Sequence, residues 1–429
     1  MENCELPSDL LINILTRLSV RSLMRLKCVC KFFYNLIKND HQFIQKHFEF
    51  SRTKTGGAVI EFNSADSKSL LCYLVYKDLE CNETRCIYLD VPNSRFFRYI
   101  KCCDGMLCLI VCKDDINGIE GDSTVDVFIL NPSTMEIMAL PSIKVPNKLP
   151  NKSPVGMRFG FGLSNNMVGK VIMLLSFEDV KSNCDDYEIV MVCSQVDDSW
   201  NWRQVDVPQA LKYLLPSAYF GDFYFKGKYY WYGLPGLIWF DMDDEVFGMI
   251  NTPFELKINF FTFTNETIVC VSQPILPPDE QGKVYFDIWL MEENNNIFNW
   301  HKQTRILFHS MGEQWMPVGI WNPSGHLLML VSYLNPDFFM RDEIEDIEDS
   351  DVPFFKNGPD LISIDLVTQE KKIIYTSQEK KSAINIVLNS SGDVQVCKNV
   401  IKAPEWNESN IFWHAGAYSQ VFYESLKFL

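Results

Sequence analysis

The first forty residues carry apolar side chains at the spacing of amphipathic helices. Ser8 is the expected N-cap of the first helix, and Ser19–Ser22 separates it from the second. Three helices are predicted, and they are too short to bury all their apolar surface, so we expect a partner to cover the remainder. The three apolar runs are Leu10, Leu11, Ile14, Leu15 and Leu18, then Leu23, Leu26, Val29 and Cys30, then Phe33, Leu36 and Ile37.

From residue 58 onward the pattern changes to short β-rich runs separated by turn residues, such as Met106–Val111 and Val171–Leu175. Many of these runs come in similar pairs. One apolar anchor per unit gives intervals of 63, 47, 50 and 74 residues, at Leu130, Cys193, Phe240, Leu290 and Ile364. Intervals near 50 are typical of four-stranded β-propeller blades of the kelch type, with a two-sheet sandwich as the alternative. The sequence does not count the blades.

Charge divides the 429 residues into two parts. The chain has a net charge of −16, and residues 1–50 carry +2, so the remainder carries −18. Such an acidic chain is unsuited to a general phosphate-binding surface, which excludes nucleic acid as a first interpretation. The acidic start does not resemble a signal peptide, and no apolar run is long enough to span a membrane. A cytoplasmic or nuclear location is therefore expected.

One segment concentrates the negative charge. Residues 341–351 hold seven acids and one base, within an expected loop insertion at 337–356. Such a run is usually a solvated, flexible surface. A second interpretation is that it attracts a basic target through Asp342, Glu343, Glu345, Asp346, Glu348, Asp349 and Asp351.

Residues that could carry chemistry are sparse, and we expect neither a catalytic residue nor a metal or cofactor. The cluster at Cys102–Cys112 lacks paired metal-ligand spacing, which favours buried strand cysteines. Gly160-Phe161-Gly162 lacks the third glycine of a phosphate-binding loop and is predicted to be a turn at a strand end. The acids at Asp185-Asp186 and Asp243-Asp244-Glu245 are expected in solvated turns.

The N-terminal residues resemble a plant F-box. The resemblance covers residues 6 to 47, through the runs Leu6–Leu11, Ile14–Leu23 and Arg25–Lys31. One departure is Phe33, which stands where the family usually has tryptophan. A smaller aromatic ring could still fill the adaptor pocket.

The remainder resembles the F-box-associated domain of plant F-box proteins. Cys103–Leu109 is similar to its CNGLL-type segment, and Phe128–Thr134 to its strand and turn. Where that family usually has a DYK-type triplet, this chain has Val168-Gly169-Lys170. The implied organisation is an F-box at 1–50, a linker at 51–57 and a large β-domain, propeller-like, at 58–429.

The resemblance implies a non-catalytic substrate receptor of an SCF ubiquitin ligase. The F-box would bind a Skp-type adaptor, which binds a cullin carrying a RING subunit, while the β-domain holds the protein target. Leu11 and Leu36 are expected to pack the helices together instead. The implied adaptor-binding residues are Leu6, Pro7, Leu10, Ile14, Leu15, Leu18, Leu23, Leu26, Val29, Cys30 and Phe33.

Within this family the chain looks most like the S-locus F-box group, whose members recognise basic pistil ribonucleases in self-incompatibility. The acidic β-domain suits a basic target of this kind. Two alternatives stay open. One is a propeller binding module or scaffold without a ligase role, using exposed aromatics such as Trp315, Trp321 and Tyr333. The other is a propeller hydrolase with a central pair of carboxylates.

Overall fold

The protein is seen in a computed structural model of the 429-residue chain. The structure describes residues 7–422 apart from 55, 64–69, 78–85, 91–95, 113–122, 135, 146–151, 166–167, 180–184, 197–198, 207, 209–221, 234–235, 253–256, 265–266, 275–282, 295–296, 310–312, 322–324, 334–359, 377–382, 389–393 and 398–418. Within these residues a short helical segment precedes a large all-β domain.

The N-terminal segment, residues 7–54, forms four helices and is called the helical domain below. They are α1 (Ser8–Thr16), α2 (Val20–Leu26), α3 (Lys31–Asn39) and α4 (His41–Lys54). The fourth helix was not predicted, and it extends into the expected linker at 51–57. Pro7, not Ser8, occupies the N-cap of α1, and no side chain caps that helix. Ser19 does cap α2, because its hydroxyl accepts a hydrogen bond from the backbone N–H of Ser22 at 3.4 Å.

The helical domain has its own apolar core. α4 contacts both α1 and α3, and Asp40 fixes its start by accepting the backbone N–H of Phe43 at 3.0 Å. Leu36 lies in this core as expected, and Leu11 packs against it. The buried residues are Leu15, Val20, Leu23, Leu36, Ile37, Phe43 and Ile44.

The β-domain consists of small, mostly antiparallel sheets, and five of them follow one another along the chain. Its strands are β1 (Gly56–Asn63), β2 (Leu70–Lys77), β3 (Cys86–Asp90), β4 (Phe96–Cys103), β5 (Met106–Cys112), β6 (Ser123–Asn131), β7 (Glu136–Ala139), β8 (Ile143–Val145), β9 (Lys152–Leu163), β10 (Gly169–Asp179), β11 (Asp185–Val196), β12 (Ser199–Val205), β13 (Phe223–Phe225), β14 (Lys228–Tyr232), β15 (Gly236–Asp241), β16 (Phe247–Asn251), β17 (Lys257–Phe263), β18 (Ile268–Pro274), β19 (Lys283–Asn294), β20 (Ile297–His309), β21 (Glu313–Trp321), β22 (His326–Tyr333), β23 (Asp360–Ile364), β24 (Lys371–Thr376), β25 (Ala383–Leu388), β26 (Val394–Cys397) and β27 (Ser419–Phe422).

Five of these sheets are the blades of a β-propeller. Blade 1 is β4–β7 with β8 paired to β6, and blades 2 to 5 are β9–β12, β13–β16, β17–β20 and β21–β24. The first strand of each blade contacts the first strand of the next. The five anchors chosen from the sequence, Leu130 to Ile364, fall on the third strand of successive blades. The propeller prediction is therefore confirmed, and the sandwich alternative is wrong.

A smaller sheet closes the ring between blade 5 and blade 1. Its order is β2-β1-β27, and β27 contacts both β21 and β4. Gly57 to Ile60 pair with Phe422 to Ser419, so strands from the two ends of the β-domain lie side by side. A further sheet, β26-β25-β3, includes a parallel pairing of β25 with β3.

Two glycines let blade 2 pack closely against blade 3. Gly160 and Gly162 lie within β9 and not in a turn at its end, so the turn prediction was wrong. A Cβ atom at Gly160 would lie 2.8 Å from the rings of Trp231 and of Tyr229. Trp231 also donates its indole N–H to the carbonyl of Phe159 at 3.2 Å, which fixes the ring against this strand. Glycine usually weakens a strand, but here the missing side chain makes room for the aromatic rings of blade 3.

His47 links α4 to the end of α1 inside the helical domain. The side chain is 1% exposed, and its Nε2 lies 2.9 Å from the carbonyl oxygen of Leu18. Its Nδ1 lies 3.5 Å from the hydroxyl of Ser51. Burial lowers the pKa of His47 below its ordinary value, although the hydrogen bond to Leu18 opposes this shift.

We predict that the stability of the helical domain decreases below about pH 6.5, the ordinary pKa of an unfolded histidine. The unfolded state then binds a proton that buried His47 resists, so stability falls from there towards the lower folded pKa. Urea unfolding followed by circular dichroism at 222 nm, between pH 5 and 7.5, measures this. His47→Gln should flatten the decrease, whereas His41→Gln on the exposed side of α4 should not; equal slopes in all three proteins would contradict the assignment.

We predict that Gly160→Ala destabilises the propeller by about 1–3 kcal/mol, because the added methyl group overlaps the rings of Tyr229 and Trp231. Urea unfolding followed by tryptophan fluorescence measures the change. Gln204→Ala, on the exposed outer strand of the same blade, serves as the control and should change stability by less than about 0.5 kcal/mol. Equal stability of the two variants would show that blade 3 yields to the new side chain.

Candidate functional site on the helical domain

Exposed apolar side chains are concentrated on the helical domain. Of the nine large hydrophobic residues that are exposed in the described part of the chain, five lie between residues 10 and 34. Because isolated proteins rarely leave such groups in water on so small a domain, this surface has the character of a binding site. The five residues and their exposed fractions are Leu10 (47%), Ile14 (44%), Val29 (66%), Phe32 (51%) and Tyr34 (44%).

The helices hold these five side chains on the surface, away from the apolar core. Leu10 and Ile14 are one helical turn apart and share a face of α1, whereas Leu15 points into the core. Val29 lies in the turn between α2 and α3, where its backbone N–H donates to the carbonyl of Leu26 at 2.9 Å. This turn holds Val29 outward while Leu23, on the preceding helix, is fully buried.

The adaptor-binding residues implied by the sequence fall into three groups. The structure leaves Pro7, Leu10, Ile14, Val29 and Cys30 exposed, half-buries Leu18, Leu26 and Phe33, and buries Leu15 and Leu23. Leu6 lies outside the described residues. Leu15 and Leu23 therefore hold the helices together in this structure and present no surface to a partner.

Phe32 is the aromatic residue that sequence reasoning missed. Phe33 packs against the helical core, while the ring of its neighbour Phe32 is exposed and meets it edge to face, with centroids 5.5 Å apart. Within α3, Leu36 and Ile37 are buried, and Phe33 stands three or four residues before them on the same face. This helical spacing predicts that Phe33 faces the core and that Phe32 faces solvent.

The acids that were expected in solvated turns are placed differently: Asp185 and Asp186 lie in β11, and Asp243 and Glu245 are bound to neighbouring groups. Asp243 accepts the backbone N–H of Asn165 from blade 2, with N···O distances of 3.0 and 3.2 Å. Glu245 forms ion pairs with Lys170 and Arg203. Partial burial favours a higher pKa for Glu245, but the hydrogen bonds from these two bases outweigh it and lower the pKa. A general acid needs a raised pKa instead, so this carboxylate suits a link between blades rather than hydrolysis.

The cysteine cluster lies in the core of blades 1 and 2, as the alternating strand pattern predicted. Cys103, Cys108 and Cys112 are buried. Burial raises the pKa of Cys112 to about 12, and the negative charge of Asp126 acts in the same direction. Burial likewise raises the pKa of Cys193 to about 12. Thiols with such pKa values are poor nucleophiles near neutral pH.

The other candidate side chains are half-buried or lie outside the described residues. Trp315 and Tyr333 pack against the core between blades 4 and 5, and Trp315 donates its indole N–H to Glu313 at 3.0 Å. The side chain of Trp321 and the acidic segment Asp342–Asp351 lie outside the described residues.

The described residues offer neither a metal site nor a membrane-spanning helix. They contain no group of three or more His, Cys, Asp or Glu side chains placed to hold a metal ion. In the same part of the chain, no helix has the length and apolar character needed to cross a bilayer.

Comparison with known proteins relates this chain to F-box proteins. Residues 4–45 match the F-box domain family. An F-box/LRR-repeat/kelch-repeat protein of Arabidopsis thaliana is 24% identical over 315 residues, covering 72% of this chain and 79% of that protein. An F-box/kelch-repeat protein of the same plant is 24% identical over 320 residues, covering 70% of this chain and 75% of that protein.

A solved structure that resembles the chain is the periplasmic gluconolactonase of Pseudomonas aeruginosa. It is 11% identical, with a TM-score of 0.39, and the match covers 87% of this chain and all of that one. So distant a likeness carries no argument about activity. The helical domain therefore matches the F-box domain family, and the chain as a whole, with a β-propeller after that domain, is similar to F-box proteins of Arabidopsis thaliana.

Proposed function

We propose that this protein is the substrate receptor of an SCF ubiquitin ligase, with the F-box bound to a Skp-type adaptor and the propeller holding the target. The adaptor would connect it to a cullin and its RING subunit, in the cytoplasm or the nucleus. The observation that carries the proposal is the set of exposed apolar residues within the F-box, led by Val29 and Phe32. Similarity to Arabidopsis F-box proteins that carry kelch repeats supports the same role.

Burial explains why these residues would bind. Each large apolar side chain that moves from water into a partner contributes about 1.5–3 kcal/mol. Leu10, Ile14, Val29 and Phe32 are each between 44% and 66% exposed, so an adaptor that covers them gains part of that energy at every position. Their backbones are held by helices with a packed core, so little ordering opposes binding.

The receptor itself would catalyse no step of ubiquitin transfer. It would bring a target lysine close to the ubiquitin-charged enzyme and keep it there, which raises the effective concentration of the two reactants. A propeller suits this task because its blades are packed against one another through large aromatic side chains, such as Tyr229 and Trp231 at the border of blades 2 and 3.

For the target we propose a basic protein, and more narrowly a basic S-ribonuclease recognised in self-incompatibility. The net charge of −16 supports a basic target, because opposite charges accelerate encounter. The narrower identification rests on the resemblance to the S-locus F-box group alone. The acids Asp342–Asp351 are the proposed attracting segment.

We predict that Val29→Asp weakens binding of a Skp-type adaptor at least about tenfold, because it removes apolar burial and places a carboxylate in the interface. Isothermal titration calorimetry with purified adaptor measures the change. The matched control is Val367→Asp, since Val367 is 90% exposed in the turn between β23 and β24, far outside the F-box in the chain.

The control should bind the adaptor within twofold of the wild type. Both variants should keep the wild-type melting temperature, because both side chains already face solvent. Leu23→Ala provides the opposite case, in which a buried side chain is lost and the helical domain is destabilised by about 2–5 kcal/mol. Undiminished adaptor binding by Val29→Asp would show that this surface is not the adaptor interface, and absence of adaptor binding by the wild type would favour the scaffold interpretation.

We predict that neutralising the seven acids between Asp342 and Asp351 slows association with a basic S-ribonuclease and leaves dissociation nearly unchanged. The difference should be largest at low salt, because screening removes long-range attraction at high salt. Surface plasmon resonance at 20 and 500 mM NaCl measures both rate constants. An association rate constant that is insensitive to the substitution at 20 mM would refute the role of this segment.

A further inference from the structure

A large cavity lies between the F-box and the propeller. It has a volume of about 740 Å³ and is partly open to solvent. Its walls come from α4 and the end of α3 on one side, and from blades 1 and 2 on the other. Cavities of about 300–1,000 Å³ are the usual size for sites that bind drug-sized molecules.

The floor of the cavity is apolar. Met106, Ile129, Phe161 and Leu163 reach it from the shared core of blades 1 and 2, and half-buried Met138 lies beside them. Methionine side chains adapt to ligands of different shapes because they are unbranched and polarisable. This floor offers a ligand contact area but few hydrogen-bonding groups, so the backbone of a peptide would lie there unsatisfied. A small organic molecule fits it better.

One aromatic wall depends on a glycine. Trp200 lines the cavity, and a Cβ atom at Gly169 would lie 3.1 Å from the tip of its ring. The missing side chain therefore lets the indole lie against β10 and leaves the space beside it open. A flat indole is a suitable surface for an aromatic or aliphatic ligand body.

The rim of the cavity is positively charged, in contrast to the chain as a whole. Lys38 and Lys46 line it together with the polar side chains of α4. The one carboxylate among the lining residues is Glu49, which accepts a hydrogen bond from Gln45 at 2.9 Å. The exposed lysine Lys46 beside an apolar floor favours an anion with an apolar body.

We propose that this cavity binds a small amphipathic organic acid, with the apolar body on the floor formed by blades 1 and 2 and the anionic group at Lys46. This inference goes beyond the receptor role and does not depend on it. Because the walls come from two domains, a bound ligand would hold α4 against the propeller. It would therefore stabilise one orientation of the F-box relative to the target-binding domain.

The test is saturable binding of decanoate to the full chain, measured by its displacement of the fluorescent dye 1-anilinonaphthalene-8-sulfonate. Lys46→Gln should weaken decanoate binding about tenfold, the effect of losing one charge-assisted hydrogen bond, and should leave decan-1-ol binding unchanged. Lys144→Gln, an exposed lysine of blade 1 outside the cavity, removes the same charge and should change neither affinity.

A second variant tests the cavity itself. Met138→Trp fills the floor with a larger side chain and should abolish binding of both compounds while adaptor binding persists. Val29→Asp should show the reverse, with decanoate binding retained and adaptor binding lost. Absence of saturable binding by the wild type, or equal binding by wild type, Lys46→Gln and Met138→Trp, would overturn the proposal without touching the receptor role.

Discussion

The arrangement of the molecule depends on the hydrogen bonding of β1. This strand pairs with β2 along its whole length and with β27 at Gly57 to Ile60. It also begins at Gly56, two residues after α4 ends at Lys54. The sheet that closes the ring therefore also contains the strand that follows the helical domain. So short a connection restricts how far the helices can move from the rim of the propeller.

Within the ring, neighbouring blades are joined by two kinds of contact. Aromatic rings of blade 3 fill the space left by glycines on β9, which gives a dry, closely packed border. In addition, partly exposed Glu245 of blade 3 bridges Lys170 and Arg203 of blade 2. The dry contacts supply most of the stability, since partly exposed ion pairs contribute little. A protein bound across two blades would therefore contact two surfaces that stay at a fixed distance from each other.

Much of this architecture could be predicted from the sequence, because the blades repeat. Anchors such as Cys193 and Phe240 fall on equivalent strands, since each blade buries its third strand in the same way. Helix α4 was missed, although Phe43, Ile44, His47 and Phe48 repeat at one-turn intervals and are all buried. The glycines of β9 were wrongly predicted to lie in a turn, because local sequence preferences contain no information about the aromatic rings of blade 3. The cavity was beyond prediction for the same reason, as its walls are distant in the chain.

Ring closure by β27 has a consequence for the order of synthesis. More than 360 residues separate the end of α4 from β27. At translation rates of about 5–20 residues per second, the F-box emerges roughly 20 to 70 s before the last strand of the ring is made. Its helices are close together in the chain and can fold within that time, whereas the pairing of β1 with β27 must wait. The helical domain can thus present its exposed apolar surface while the chain is still attached to the ribosome and the ring of blades is still open.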